Sequence, residues 1–245
     1  PILHGGNLPE RLKNNLLYSK LIFANSFKNI APSNYLKTEF EKVGFKTELI
    51  PNIVEIGDYN FKQRVNYKPR LLFVRAFHQI YNPTMAVKVL YKVLQQYPDA
   101  TLCMIGPAKD DSFQETKDLA AQLGISESIT FTGVLPKKDW HKMSEDYDIF
   151  INTTTIDNTP VSVMEAMAMG LPVISTNVGG IPYLLEDGKD AYLVPSNDVD
   201  AMSKKIIAII ENSAHVDKIV LNARKKVELF DWSVVRLQWI AVLES

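Results

Sequence analysis

The residues best suited to chemistry are two carboxylates, Asp157 and Glu165, which are separated by seven other residues. They follow the apolar run 149–151, which has the composition of a strand buried on both faces. The polar residues 152–158 then predict a loop at the carboxyl end of that strand. The pair places hydrogen-bond acceptors at the polar edge of a sheet and marks a candidate ligand site.

A predicted helix begins directly after this loop. Thr159 is a good N-cap residue, and Pro160 suits the first helical position. The backbone N–H groups of Val161 and Ser162 should therefore point out of the helix toward the loop. Because such N–H groups attract anions, the pattern predicts a site for a negatively charged ligand.

Five predicted strands should end at the same edge of one sheet. The residues that follow or close them are Arg75, Gly106, Gly133, Asn152 and Thr176. Arg75 is the candidate for binding an anion at this edge, because a fixed guanidinium and helix N–H groups can stabilise negative charge. A surface arginine paired with a neighbouring acid is the alternative, and glycines at strand ends are also ordinary turn residues.

Apolar and amphipathic segments alternate from residue 70 onward, which predicts a doubly wound α/β domain. The predicted strands cover 71–75, 101–105, 128–131, 149–151 and 172–175, and the predicted helices cover 84–96, 112–123, 137–145, 160–169, 198–212, 215–228 and 231–243. The first 65 residues predict strands ending at His4 and covering 21–24 and 48–50, with helices at 9–18 and 34–43. Residues 52–69 are predicted as a polar linker.

Composition excludes several classes of function. The chain has 245 residues, of which 46% are hydrophobic, and its formal net charge is −1. It can bury a large core but lacks the excess of Lys and Arg that binding of nucleic acid needs. No apolar run approaches the roughly 20 residues that span a bilayer. A single cysteine, Cys103, and four scattered histidines predict no disulfide, no zinc site and a cytoplasmic location.

The segment from Tyr147 to Pro182 resembles the donor-site signature of family-4 glycosyltransferases, which are enzymes of the GT-B fold. In that signature two acids separated by seven residues flank a helix start that contains Pro or Gly. The likeness continues through Glu-Ala-Met-Ala-Met-Gly-Leu-Pro-Val at 165–173 and Val-Gly-Gly-Ile-Pro at 178–182. One departure concerns the first acid, which is usually Glu and here is Asp157.

The resemblance implies roles for particular residues. Asp157 would bind the hydroxyls of the transferred sugar, and Glu165 would bind the ribose hydroxyls of the nucleotide. A salt bridge from Glu165 to a nearby lysine is the alternative for that residue. Gly133 and Val134 would contact the base through their backbone, and Gly106 would line the same cleft. His4, beside Gly5-Gly6, matches a histidine that approaches the donor sugar, although a structural role for a histidine at a strand end is the alternative.

The phosphate-binding tract departs from the family at one position. Six residues after the arginine that Arg75 matches, the family carries a lysine, and here that position holds Tyr81. A tyrosine can donate one hydrogen bond to phosphate but carries no charge at neutral pH, so the sequence predicts weaker binding of the diphosphate. His78 is a substitute donor in this interpretation, and a loop histidine without a ligand is the alternative.

The resemblance also implies a division of the chain. Residues 1–65 would be the end of an acceptor-side N-terminal domain, residues 66–229 the nucleotide-sugar-binding domain, and residues 230–245 a helix that returns to the N-terminal part. The opening strands of a full enzyme have no counterpart, so the sequence predicts a truncated enzyme that binds donor and transfers little sugar.

The implied activity is retaining, metal-free transfer of a hexose from a UDP- or GDP-linked donor to an acceptor glycan or lipid-linked glycan. A sugar-nucleotide-binding module without turnover is the alternative from another class. A Rossmann dehydrogenase fits poorly because no G-x-G-x-x-G follows the first strand, and a sugar-nucleotide epimerase is a minor alternative. Peripheral membrane contact stays open, since the basic clusters 204–205 and 224–226 are predicted as solvated helix faces.

Overall fold

The computed structural model describes residues 1–3 and 8–245. The N-terminal part contains α1 (Leu8–Asn14), α2 (Leu16–Phe23), β1 (Asn29–Ala31), α3 (Asn34–Lys42) and β2 (Thr47–Leu49). β1 pairs with β2 in parallel, and a single bridge joins Ile2 to Ile30 on the other side of β1. The strand predicted at 21–24 is wrong, because residues 21–23 belong to α2 and Ala24 is its C-cap. A short apolar run has no clear period, so its composition alone does not separate a strand from a helix.

A parallel sheet of six strands forms the centre of the rest of the chain. Its strands are β3 (Arg70–Val74), β4 (Thr101–Ile105), β5 (Ile129–Gly133), β6 (Ile149–Asn152), β7 (Val173–Thr176) and β8 (Tyr192–Val194), in the order β5-β4-β3-β6-β7-β8. The order reverses between β3 and β6. The loops that leave these two strands therefore flank the crevice where open α/β sheets bind ligands. The short strand β8 carried no sequence prediction.

Helices cover both faces of this sheet, as a doubly wound fold requires. They are α4 (Pro83–Leu94), α5 (Ser112–Gln122), α6 (Lys137–Met143), α7 (Val161–Ala168), α8 (Ile181–Leu184), α9 (Val199–Glu211) and α10 (Ser213–Glu228). The last helix, α11 (Trp232–Leu243), lies apart from this sheet. Short 3₁₀ turns occupy Ile56–Asp58, Gln79–Tyr81, Ser126–Ser128 and Ser144–Asp146. Along the described residues, no helix combines the length and apolar character needed to cross a membrane.

Successive residues of the central strands pack into two separate cores. Phe73 of β3 belongs to a core with residues of α4 and α9, whereas Leu72 belongs to a core with residues of α6 and α7. Alternate side chains of a strand point to opposite faces, and here both faces are buried. This explains the continuous apolar runs of the sequence, and the predicted doubly wound α/β fold is confirmed.

The last helix packs on the N-terminal part. Val235 of α11 is fully buried against Ile30 of β1 and Ile50, with Trp239 and Val242 beside it. α11 begins at a capping aspartate, Asp231, whose carboxylate accepts hydrogen bonds from the N–H groups of Ser233 at 2.9 Å and Ile56 at 3.0 Å.

One buried arginine fixes the connecting segment 52–69 to the six-stranded part. Arg64 is 4% exposed. Its guanidinium donates to the carbonyl oxygens of Tyr147 at 2.8 Å, Gly170 at 2.9 Å and Ser144 at 3.0 Å. Gly170 has φ +77°, and a Cβ there would stand 2.6 Å from the Lys62 carbonyl oxygen. The segment is therefore a packed part of the fold.

We expect Arg64→Met to lower the free energy of unfolding by about 1–3 kcal/mol for each buried carbonyl oxygen that it leaves without a donor. Urea unfolding followed by tryptophan fluorescence measures the change. Arg236→Met is the matched control, since Arg236 is exposed on α11, and its effect should stay within about 0.5 kcal/mol. Equal effects of the two substitutions would contradict this role for Arg64.

Candidate functional site

An open cleft of about 340 Å³ lies at the carboxyl ends of β3 and β6. It is lined by Val74, Arg75, Ala76, Tyr81, Asp157, Thr159, Pro160, Val161 and Ser162. The loop after β3, the loop after β6 and the start of α7 thus meet at the position where the strand order reverses. Of the predicted site residues, the structure brings Arg75, Tyr81, Asp157, Thr159, Val161 and Ser162 together here.

An ion pair between Arg75 and Asp157 joins the two sides of the cleft. Each side chain is 12% exposed, so the pair is largely removed from water. The Arg75 guanidinium also lies 3.9 Å from the centre of the Tyr81 ring, a cation–π contact. Arg75 Nε is enclosed and has no hydrogen-bond partner among the described residues. Arg75 therefore pairs with Asp157 through Nη2, while its Nε donates no hydrogen bond to the described residues.

The charge state of Asp157 reflects opposing effects. Burial raises the pKa of the Asp157 carboxyl above its ordinary value, while Arg75 and the backbone N–H of Asn158 lower it. The Asn158 N–H donates to Asp157 Oδ1 at 2.9 Å. Burial is the largest of these effects, so the carboxylate depends on its partners to stay ionised.

Backbone contacts hold the loop that carries Asp157. A Cβ on Gly180 would stand 2.0 Å from the Asn158 carbonyl oxygen, and a Cβ on Gly179 would stand 2.3 Å from that of Asp157. On the other side, Thr153 Oγ1 donates to the Tyr81 carbonyl at 2.8 Å. Thr153 thus holds this loop on the side of Tyr81, and Gly179 and Gly180 allow the chain after β7 to pack against its other side.

The start of α7 differs from the sequence prediction. Pro160, with extended ψ 115°, occupies the N-cap position and α7 begins at Val161, so Thr159 as N-cap is wrong. Proline lacks a backbone N–H, but at this position the helix loses no hydrogen bond, because the first N–H groups of a helix have no partner within it. The Thr159 hydroxyl lies 3.5 Å from the Pro32 carbonyl instead. The enclosed Ser162 Oγ has no partner among the described residues.

Glu165 does not line this cleft. It is buried in α7. Its Oε1 accepts a hydrogen bond from the Tyr59 hydroxyl and forms an ion pair with Lys137 Nζ, both at 2.9 Å. His141 Nε2 lies 4.0 Å from the same oxygen. Burial lowers the pKa of His141, and Glu165 opposes this effect. Glu165 thus belongs to a separate polar cluster of Tyr59, Lys137, His141 and Glu165.

The two strand-end glycines and Val134 lie outside the cleft lining. Gly106 has φ +151°, and a Cβ there would stand 2.0 Å from the Arg75 carbonyl oxygen. Its N–H donates to the Gly133 carbonyl at 2.9 Å, and Val134 is 69% exposed. Gly106 therefore allows the close approach of the chain after β3. Contacts of Gly133 and Val134 with a base stay a prediction.

The two histidine predictions have different outcomes. His4 lies outside the described residues. His78 Nδ1 accepts a hydrogen bond from the Ile80 N–H at 3.2 Å and stands 3.7 Å from Asp110 Oδ2. It caps the 3₁₀ turn that carries Tyr81, and it is not among the residues lining the cleft.

Sequence reasoning missed the contacts that come from the first 60 residues. Ser33, the N-cap of α3, donates a hydrogen bond to Asn158 Oδ1 in the loop next to Asp157. Tyr59 reaches Glu165 across 106 positions of sequence. The preference of serine for helix N-caps is a sequence signal that could have located the cap at Ser33, but no local pattern points to either long-range partner.

Comparison with known proteins identifies relatives over most of the chain. The sequence profile of the family described as Glycosyl transferases group 1 matches residues 58–226. The amylovoran biosynthesis glycosyltransferase AmsK of Erwinia amylovora is 33% identical over 141 residues, which are 52% of this chain and 35% of that protein. The phosphatidyl-myo-inositol mannosyltransferase of Mycobacterium tuberculosis is 26% identical over 221 residues, which are 84% of this chain and 56% of that protein. The chain thus spans between about a third and just over half of these curated relatives.

Among solved structures, Anabaena HepE in complex with UDP and glucose superposes on 99% of this chain with a TM-score of 0.87. The chain covers 70% of that protein at 21% sequence identity. At this identity, the likeness shows a shared fold.

We expect Gly180→Ala to lower the free energy of unfolding by about 1–3 kcal/mol, because the added methyl collides with the Asn158 carbonyl and displaces the Asp157 loop. Urea unfolding measures the loss. Gly57→Ala is the control, since a Cβ at Gly57 meets no atom within 4 Å. A neutral Gly180→Ala substitution would show that the loop adjusts without cost.

Proposed function

This chain belongs to the group 1 glycosyltransferases, as its signature predicted, and we propose that its cleft binds a UDP- or GDP-linked sugar. In this proposal, the hexose is transferred to an acceptor glycan or a lipid-linked glycan, with retention at the anomeric carbon. The observation that carries the proposal is the meeting of Arg75, Asp157 and the N-terminus of α7 in one cleft. A cation, helix N–H groups and a carboxylate together suit a sugar diphosphate.

Arg75 and the start of α7 would bind the diphosphate. Negative charge grows on the leaving phosphate as the bond to the sugar breaks, and positioned donors stabilise that charge most in the transition state. The guanidinium of Arg75 and the N–H groups of Val161 and Ser162, which line the cleft, supply such donors. The cation–π contact of Arg75 with Tyr81 orients the guanidinium.

Asp157 would accept hydrogen bonds from hydroxyls of the transferred sugar. Its pairing with Arg75 keeps a buried carboxylate ionised before donor arrives. When a phosphate accepts hydrogen bonds from the Arg75 guanidinium, one carboxylate oxygen of Asp157 becomes free to accept a hydrogen bond from a sugar hydroxyl. Glu165 would bind the ribose hydroxyls from the neighbouring cluster.

The relatives support the substrate classes. The structure of HepE contains UDP and glucose. The relatives named for amylovoran biosynthesis and for mannosyl transfer to phosphatidyl-myo-inositol support a glycan or lipid-linked acceptor. Transfer without a metal ion, a cytoplasmic location, contact with a membrane surface and the absence of nucleic-acid binding stay predictions.

Transfer of labelled sugar tests the proposal directly. The purified chain is incubated with UDP- and GDP-linked hexoses and with glycan or lipid-linked acceptors, beside calorimetric titration with UDP and GDP. Binding with transfer supports the glycosyltransferase. Binding without transfer supports the sugar-nucleotide-binding module, and absence of binding by both nucleotides would refute both.

Arg75→Gln should weaken binding of the nucleoside diphosphate about ten- to a hundredfold, because it removes a charged hydrogen-bond donor. It should also make the affinity less sensitive to salt. Arg70→Gln is a matched control, since Arg70 pairs with Asp148 at the opposite end of the same strand. Titration at two salt concentrations measures both effects, and equal losses for the two variants would place the phosphate site elsewhere.

Tyr81→Leu should weaken the same binding about two- to thirtyfold, because it removes the ring beneath the guanidinium. Tyr81→Phe keeps the ring and should bind within about twofold of the unsubstituted protein. Calorimetric titration distinguishes the two variants. Equal losses would show that the Tyr81 hydroxyl, and not its ring, serves the diphosphate.

A further inference from the structure

The two carboxylate oxygens of Glu165 have different surroundings. Oε1 accepts a hydrogen bond from Tyr59 and forms an ion pair with Lys137, with His141 Nε2 at 4.0 Å. Among the described residues, Oε2 receives no hydrogen bond, and it is not one of the fully enclosed atoms left without a partner. One oxygen is therefore held by the protein, and the other is available to a ligand.

The two partners of Oε1, Tyr59 and Lys137, differ in how strongly they hold the Glu165 carboxylate. Lys137 is 69% exposed, and ion pairs on the surface contribute about 0–1 kcal/mol because water screens them. Tyr59 is 7% exposed, and a buried hydrogen bond to a charged acceptor contributes about 1.5–3 kcal/mol. Tyr59 is therefore the partner that determines the orientation of the Glu165 carboxylate.

Tyr59 is itself held in place from several sides. Its ring stacks on His141, with centroids 4.7 Å apart, and its carbonyl accepts a hydrogen bond from Arg224 Nη1 at 3.3 Å. Burial, together with the charge of Glu165, raises the pKa of Tyr59, so its hydroxyl keeps the proton that it donates.

We propose that Tyr59 is a positioning residue that orients Glu165 so that Oε2 accepts hydrogen bonds from the ribose hydroxyls of a nucleoside diphosphate. The inference rests on the proposed function, because it takes Glu165 as the ribose ligand. Tyr59 lies in the connecting segment 52–69 and Glu165 lies in α7, so the connecting segment takes part in recognition of the nucleotide. The expected consequence is selection of ribose over deoxyribose.

The experiment compares two ligands by calorimetric titration. They are whichever of UDP and GDP binds more tightly, and the 2′-deoxy form of the same nucleotide. The ratio of the two affinities reports the contact with the 2′-hydroxyl, while contacts with base and phosphate cancel. The unsubstituted chain should prefer the ribonucleotide about tenfold or more.

Three variants separate positioning from general stability. Glu165→Gln should abolish most of the preference, and Tyr59→Phe should reduce it about three- to tenfold because Glu165 loses its anchor. Tyr67→Phe is the matched control, since the buried Tyr67 hydroxyl donates to Asp217 Oδ1 at 3.0 Å, in a pair separate from the Glu165 cluster. It should leave the ratio unchanged. Circular dichroism confirms that each variant is folded.

The outcomes distinguish this inference from the proposed function. If neither UDP nor GDP binds, the proposed function fails and the inference fails with it. If Glu165→Gln lowers the ratio but Tyr59→Phe retains the full ratio, Glu165 binds ribose and the role of Tyr59 is wrong. An equal loss in Tyr67→Phe, or a ratio near one in the unsubstituted chain, would also overturn the role of Tyr59.

Discussion

The buried ion pair between Arg75 and Asp157 is the constraint on which the candidate site depends. It joins the loops after β3 and β6, the two strands between which the sheet order reverses. Removing either partner would leave a charge that is largely shielded from water, and an unpaired buried charge is strongly destabilising. The fold must therefore hold the two loops close enough for Arg75 and Asp157 to pair. The same arrangement brings a cation, an acid and the N-terminus of α7 together in one cleft.

The loops are held mainly by backbone contacts. Gly179 and Gly180 allow the chain after β7 to approach the Asp157 loop more closely than any side chain would permit. Thr155 N–H donates to the Ile80 carbonyl at 2.7 Å, so the loop after β6 is also tied to the 3₁₀ turn that carries Tyr81. A site built in this way is rigid before a ligand arrives, which lowers the entropic cost of binding.

The N-terminal part and the connecting segment 52–69 both contribute to the site from outside the six-stranded sheet. Ser33 of the N-terminal part reaches the loop beside Asp157, and Tyr59 of the connecting segment reaches Glu165. Val235 of α11 packs against Ile30 and Ile50 and so connects the end of the chain with its beginning. These contacts couple the position of β1 and β2 to the acidic residues of α7 and its preceding loop.

The sequence by itself determined the doubly wound fold, the strand ends and the family, because buried parallel strands and turn glycines leave local patterns. It identified Arg75, Asp157 and the start of α7 as neighbours, since parallel strands end at one edge. It misassigned 21–24 and the cap at Thr159, where a short segment suits two local structures. Tertiary structure alone decided that Arg75 pairs with Asp157, that Tyr81 presents its ring and that Tyr59 anchors Glu165. These contacts join residues distant in the chain, and their geometry depends on packing that no local pattern encodes.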